Sequence, residues 1–331
     1  MRAYVVRHDD HGRSSRWEEV PDPSPSAEGV IVRVRAAALA WSDVLQMEGT
    51  YAGAVPDTPF VCGHEFAGEV VAAGSEAGYA LGDRVFGFLP SPAAFAEYVA
   101  APARCVRRTP DELADTDAAA FTTSFLTADA AMVTVGGLTP GRSLLVHAAA
   151  GGVGRSALQL ARAYGTELIL ATAGSPSRRT AAEASGAMAT ADYDDFPDLV
   201  LEHTRGRGVD VVLESVGGDV FDLSARVLAP LGRLVTIGAS SGTPPRRLKL
   251  PLLWQRSISV CGIHIARLLG DHPEVLQPSW KRLLSLLPAG RIRPEVGLTV
   301  SPADLAQGIE ALRGRTVDGR VVIDFTGGVP V

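Results

Sequence analysis

Val146-His147-Ala148-Ala149-Ala150-Gly151-Gly152-Val153-Gly154 separates two segments of different character. Before it, Ser143-Leu-Leu-Val-His reads as a buried strand. After it, residues 153–164 read as a helix, with apolar side chains at Val153, Ala157, Leu160, Ala161 and Tyr164 and with Gly165 placed to cap its end. Small residues in such a turn let the backbone approach a pyrophosphate, which then rests on N–H groups at the helix start. A glycine pattern alone is weak evidence. Strand, Ala148-x-x-Gly151-x-x-Gly154, helix and a second strand at 168–172 together read as a dinucleotide-binding unit, with Ala150, Gly151, Gly152, Val153 and Gly154 as its backbone contributors.

The end of the second strand decides between dinucleotides. An NAD-selective site carries Asp or Glu there to hold the ribose 2′-hydroxyl. This strand instead runs Leu170-Ala-Thr-Ala-Gly-Ser-Pro-Ser-Arg-Arg, with Thr172, a candidate cofactor contact, at its end and no acid between Ala171 and Arg179. Ser175, Arg178 and Arg179 suit a 2′-phosphate, which prefers hydroxyl and guanidinium partners, so the expected cofactor is NADPH. The competing reading leaves both arginines solvated at a helix start, where the macrodipole slightly disfavours cations.

The 331 residues suit about two domains. A net charge of −6 with dispersed basic residues argues against nucleic acid as a partner. Cys62, Cys105 and Cys261 are far apart and odd in number, which fits a reduced protein better than a disulfide framework. Met-Arg-Ala-Tyr-Val-Val leads straight into a strand, and no stretch approaches membrane-spanning length. The expectation is a cytoplasmic protein without membrane association.

Residues 1 to about 120 read as β-rich, with strand candidates at 2–6, 30–37, 68–73, 83–88 and 94–99 among Pro and Gly clusters. From there to 265 strands and helices alternate, the mark of a parallel, doubly wound sheet; the strands are expected at 144–147, 168–172, 210–214, 233–237 and 258–262. The tail offers a helix at 280–287, a strand at 295–300, a helix at 303–312 and a strand at 320–325. The chain is therefore expected to be α/β, with one β-rich domain (1–120 and 266–331) interrupted by a nucleotide-binding domain (121–265).

Further motifs carry a resemblance. Ala36-Ala-Ala-Leu-Ala-Trp-Ser-Asp-Val-Leu-Gln-Met-Glu-Gly-Thr-Tyr51, Val61-Cys-Gly-His-Glu-Phe-Ala-Gly-Glu-Val, Gly82-Asp-Arg-Val and Phe95-Ala-Glu-Tyr are similar to zinc-independent medium-chain dehydrogenase/reductases. Leu126-Thr-Ala, the Val146–Gly154 turn, Gly208-Val-Asp-Val-Val-Leu-Glu-Ser-Val-Gly-Gly and Gly319-Arg-Val-Val extend the match over essentially the whole chain, closest to the quinone oxidoreductase branch. The resemblance implies a GroES-like catalytic domain, a Rossmann domain, an active site in the cleft between them, NADPH, and a homodimer through the edge of the Rossmann sheet. In that family the loop after the second strand grips the 2′-phosphate, here Ser175, Arg178 and Arg179, helped by the tyrosine that Tyr193 matches. Thr127, in the Leu126-Thr-Ala match, joins the cofactor candidates.

Related alcohol dehydrogenases hold a catalytic zinc on Cys, His and a third Cys or acid. By resemblance the first ligand position falls on Ala40 and the third on Thr123, and only His64 survives. One imidazole with loosely placed carboxylates is a poor tetrahedral site, so no metal is expected. Hydride would then go to an already activated acceptor, a quinone or an α,β-unsaturated carbonyl. Such a reaction needs position and a donor for the developing oxyanion. Tyr51, which the resemblance places beside the nicotinamide, is either that donor or a pocket wall. His64 is either a second donor or a hydrogen-bonded histidine lining the cleft.

Where the family commonly has Asn, this chain has Ala40, and Ser42, Asp43 or a water are the candidate substitutes. Gly238 and Ser240 follow a Rossmann strand and are expected along the nicotinamide side, while Arg246, Arg247 and Lys249 either meet an anionic substrate tail or form a solvated surface. The open alternatives are an enoyl-thioester reductase, a biosynthetic tailoring reductase, and a non-catalytic NADPH-binding module.

Overall fold

The computed structural model describes residues 1–10, 12–53, 55–243 and 250–330; Arg246, Arg247 and Lys249 lie outside the described residues. The chain divides into two compact units.

The first unit comprises Met1–Thr123, Ala266–Pro273 and Pro294–Val331. Its main sheet has the order Val296–Val300, Arg320–Asp324, Gly29–Leu39, Glu65–Ala73, Arg84–Phe88, Val106–Arg108, and Tyr98–Pro102 also pairs with Gly29–Leu39. Gly29–Leu39 (GVIVRVRAAAL) is buried along almost its full length because it has partners on both sides. Arg2–Asp9 forms a smaller sheet with Gly12–Glu19 and Phe60–Val61. The strand expected at 94–99 begins later, at Tyr98. Phe95 is instead fully buried, its N–H donating to Cys62 O and its carbonyl accepting from Tyr4 N–H, so it docks the small sheet.

The second unit comprises Ser124–Ile265 and Glu274–Arg293. Six parallel strands lie in the order Ala189–Ala191, Leu168–Thr172, Ser143–Val146, Val209–Glu214, Leu228–Thr236, Ser259–Gly262. Numbered along the chain this is 3-2-1-4-5-6, the doubly wound Rossmann order. The order reverses at Ser143–Val146, and the turn that follows this strand is the glycine-rich one. The helices Gly152–Ala163, Pro176–Ser185, Phe196–His203 and Gly218–Arg226 return the chain between strands. Gly165 ends the first of them in the left-handed region (φ 72°), and Thr166 N–H reaches back to Ala161 O.

Residues 274–293, grouped from the sequence with the β-rich domain, instead pack in the second unit. The physical reason is Arg282, on the helix Gln277–Leu286, which donates to both oxygens of the fully buried Asp129; the Tyr164 hydroxyl donates to the same carboxylate. A buried carboxylate requires such partners, and none is adjacent in sequence. Among the described residues no helix is long and apolar enough to cross a membrane.

Candidate functional site

The turn between Ser143–Val146 and Gly152–Ala163 is built by small residues. Ala148 adopts φ 49°, and Gly151 N–H donates to Ala148 O at 3.0 Å. A Cβ on Gly154 would lie 2.6 Å from Ala148 O and from Ala149 Cα, so only glycine lets the helix start this close to the strand. Gly151 is the N-cap and carries no capping side chain, which leaves the first-turn N–H groups to an anion. Gly151 is exposed, Gly152 and Val153 are half-buried and Ala150 is buried. This is the cradle that a dinucleotide pyrophosphate fits.

At the end of Leu168–Thr172 the structure brings together Ser175, Arg178, Arg179 and Tyr193. Ser175 caps the helix Pro176–Ser185 by accepting from Arg178 N–H at 3.4 Å, and Arg179 Nη1 donates to Ala173 O at 3.4 Å. Parallel pairing of Thr172 with Ala191 places Tyr193 alongside, its ring 3.4 Å from where a Gly174 Cβ would stand. One acid reaches this edge from the neighbouring strand. Asp192 accepts from Asp194 and Asp195 N–H, which hold its carboxyl below the usual range, and the Arg179 charge adds to this.

Thr172 is placed differently from the sequence expectation. It is fully buried, and its hydroxyl lies 2.8 Å from His147 Nδ1. Ser224 gives its own hydroxyl proton to Val220 O, so His147 Nε2–H donates to Ser224 Oγ at 2.8 Å and Nδ1 accepts from Thr172. Burial pushes the His147 imidazole down to about 3, and it stays neutral. Thr172 thus serves the core rather than a ligand. Thr127, by contrast, has a buried hydroxyl with no partner among the described residues.

Gly238 is exposed and Ser240 half-buried on the loop after Leu228–Thr236. Ser240 N–H donates to Ser215 O, drawing this loop beside residues 214–218. Glu214 orders that second loop by accepting from Val216 and Gly217 N–H at 2.6 and 2.7 Å. The sequence reading overlooked Glu214; an acid at a strand end just before Val-Gly-Gly was the available signal.

In the first unit, Ala40 is the N-cap of the helix Trp41–Glu48 and has no side chain to cap it. Asp43 reaches back instead, its Oδ2 accepting from Ala40 N–H at 2.7 Å. Gly49 closes the helix at φ 76°, and the N–H groups of Thr50 and Tyr51 both donate to Leu45 O, which sets the position of Tyr51. Tyr51 is half-buried, and burial raises its phenol above the ordinary value.

His64 is buried and stacks on Phe88, with ring centroids 5.1 Å apart. Its Nδ1–H donates to Leu89 O at 2.7 Å, so the neutral ring presents Nε2 as an acceptor to the Gln46 amide at 3.2 Å. Burial lowers its pKa. The expectation that His64 could be a second donor is corrected on this geometry: its one proton already serves a backbone carbonyl. Next to it, Glu65 pairs with Arg320 and accepts from Thr123 N–H, all buried or nearly so.

Residues 26–111 match the family model of the alcohol dehydrogenase GroES-like domain, and residues 152–287 that of the zinc-binding dehydrogenases. Zinc has no fitting donor set here. Ala40 offers no ligand atom, both His64 nitrogens are engaged, and no three His, Cys, Asp or Glu side chains gather to hold a metal among the described residues.

The chain is 40% identical over 223 residues to a phenolphthiocerol/phthiocerol polyketide synthase subunit of Mycobacterium tuberculosis, a match covering 66% of this chain and spanning only 10% of that protein's length. It is 36% identical over 315 residues to a quinone oxidoreductase of Pseudomonas aeruginosa, covering 93% of this chain and 94% of that one. The quinone oxidoreductase of Thermus thermophilus, solved also as a complex with NADPH, is similar with a TM-score of 0.83 and 31% identity, covering 98% and 100% of the two chains. With two family models matched and a relative aligned over nearly its full length, the chain belongs to the medium-chain dehydrogenase/reductase superfamily, in its quinone oxidoreductase-like branch.

Proposed function

We propose that this protein is an NADPH-dependent reductase of quinones or α,β-unsaturated carbonyl compounds. The observation that carries the reading is the pairing of the capless, glycine-built helix start at Gly151–Gly154 with Ser175, Arg178, Arg179 and Tyr193 at the end of the neighbouring strand. When bound, NADPH supplies a hydride from its dihydronicotinamide ring. The first-turn amides would hold its pyrophosphate, Arg178 and Arg179 with Ser175 would take its 2′-phosphate, and Gly238 and Ser240 are assigned to its nicotinamide side.

Hydride delivered to the conjugated carbon of the acceptor would form a C–H bond with its own electron pair, and the acceptor's π electrons would shift onto the carbonyl oxygen. Tyr51 is assigned to meet that charge: burial keeps its phenol protonated at neutral pH, so it can donate a hydrogen bond and then its proton. Water returns the proton to the phenolate. His64 acts indirectly, tying Leu89 to Gln46 on the helix that ends just before Tyr51.

The test is loss of dihydronicotinamide absorbance with quinones, short enones and enoyl thioesters, each with and without a chelator, and with NADH as control. Turnover preferring NADPH and indifferent to chelator supports the reading. Preference for enoyl thioesters shifts it to the enoyl reductase alternative. Tight NADPH binding with no turnover of any acceptor overturns it.

A further inference from the structure

Tyr51 follows a helix end that the helix does not secure by itself. Trp41–Glu48 has no basic residue in its last turn to face the terminal carbonyls. Arg13 supplies one from the strand Gly12–Glu19: its half-buried side chain reaches across 33 positions of sequence, and Nη1 donates to Gln46 O at 3.1 Å. A cation there is favourable twice over, as a donor to a last-turn carbonyl and as a charge at the negative pole of the helix. Gln46 O also accepts from Gly49 N–H, and Leu45 O accepts from Thr50 and Tyr51 N–H at 2.9 and 3.2 Å. Arg13 lies across Gly49, where a Cβ would stand 2.7 Å from its Nε. It therefore closes over the turn that sets the Tyr51 backbone. Arg313 adds a second hold by donating to Glu48 Oε1 at 2.7 Å, but that pair is exposed to solvent and counts for less.

The Tyr51 ring is seated by a different residue. A Cβ on Gly53 would lie 2.5 Å from Tyr51 Cε1 and 3.2 Å from Cδ1 and Cζ, so the ring occupies the space that a side chain at 53 would take. The φ of Gly53 lies outside the left-handed region. Its backbone conformation does not require glycine; the ring packed against it does.

We propose that Arg13 and Gly53 are positioning residues for proton donation by Tyr51, the first holding its backbone and the second leaving room for its ring. The inference rests on the reductase reading, in which Tyr51 meets the acceptor oxygen. In that step the Tyr51 O–H bond breaks and an O–H bond forms on the acceptor; water restores the phenol, and Arg13 and Gly53 give up no proton. Placement governs such a transfer, because a displacement of about 1 Å costs on the order of 10²-fold in rate.

Gly53→Ala meets only the edge of a flexible ring, so thermal stability and NADPH affinity are expected to hold while kcat falls on the order of tenfold. Arg13→Met removes the charge and the donor but keeps the stem, and is expected to lower kcat several-fold; Arg13→Lys restores both and should recover much of the loss. Arg13→Gln stands in if the methionine variant does not fold. Each change is then made in Tyr51→Phe. With no hydroxyl left to place, each is expected to alter kcat by no more than about twofold; an equal loss in both backgrounds means a structural role only and overturns the proposal. Two further readouts need no acceptor: the NMR shifts of the Tyr51 ring and hydrogen exchange of the Thr50 and Tyr51 amides. Gly53→Ala is expected to move the ring shifts, and Arg13→Met to speed exchange of both amides on the order of tenfold; unchanged shifts and rates overturn the proposal. If wild type reduces no acceptor, the reductase reading has failed, and these two readouts alone decide whether Arg13 and Gly53 place Tyr51.

Discussion

Arg320 donates its guanidinium to Glu65 Oε2 across 255 positions of sequence, with Glu65 1% and Arg320 8% exposed at their side chains. This pair links the last strand to Glu65–Ala73 inside the first unit. Removing one member leaves the other charge buried, which costs about 3–5 kcal/mol. Arg320→Met is therefore expected to lower stability by that amount in denaturant unfolding, and adding Glu65→Gln to recover part of it.

Gly154→Ala places a methyl 2.6 Å from Ala148 O and Ala149 Cα, both backbone atoms that cannot turn aside. Overpacking of this kind costs about 1–3 kcal/mol. Reduced thermal stability is expected together with weaker NADPH binding, measured by cofactor fluorescence. Unchanged binding would place the pyrophosphate elsewhere.

Arg178 and Arg179 are expected to distinguish the two nicotinamide cofactors. A hydrogen bond to a charged group contributes about 1.5–3 kcal/mol. Replacing both with Gln should weaken NADPH binding at least tenfold while leaving NADH within about twofold. An equal loss for both cofactors would argue against 2′-phosphate recognition.

His147 makes stability pH-dependent. Its imidazole titrates near 3 when folded, against about 6.5 in the unfolded chain. Below about 6.5 the unfolded state binds the extra proton, so this contribution to stability falls as pH drops toward 3 and is constant above 7. His147→Gln should flatten the acid limb of unfolding free energy against pH; an unchanged slope would assign that limb to other groups.

Tyr51→Phe removes only the phenolic hydroxyl. Loss of a general acid or oxyanion donor costs about 10²-fold or more in kcat. The expected result is that loss with NADPH affinity retained. An unchanged kcat would make Tyr51 a pocket wall.

Local chemistry made much of this molecule readable. Small residues at 148–154 define a turn through backbone sterics, and apolar runs such as Ser143–Val146 define buried strands, so the βαβ unit and the α/β class follow from neighbours in the chain. The clustering of Ser175, Arg178 and Arg179 just past a strand end was legible for the same reason, since all three lie in the short stretch that follows Thr172. Thr172 was misjudged because its partner His147 lies 25 positions away, just past the end of the adjacent strand. The helix Gln277–Leu286 was misplaced because its anchor, Asp129, lies 153 positions from Arg282.

The sequence by itself determined the strand–turn–helix cradle, the absence of an acid at the end of its second strand, and the loss of a zinc ligand at Ala40. Tertiary structure decided the protonation and hydrogen-bond roles: which nitrogen of His64 carries the proton and what Thr172 donates to. Backbone conformation and periodicity act over a few residues, whereas burial and charge pairing depend on groups brought together from distant parts of the chain.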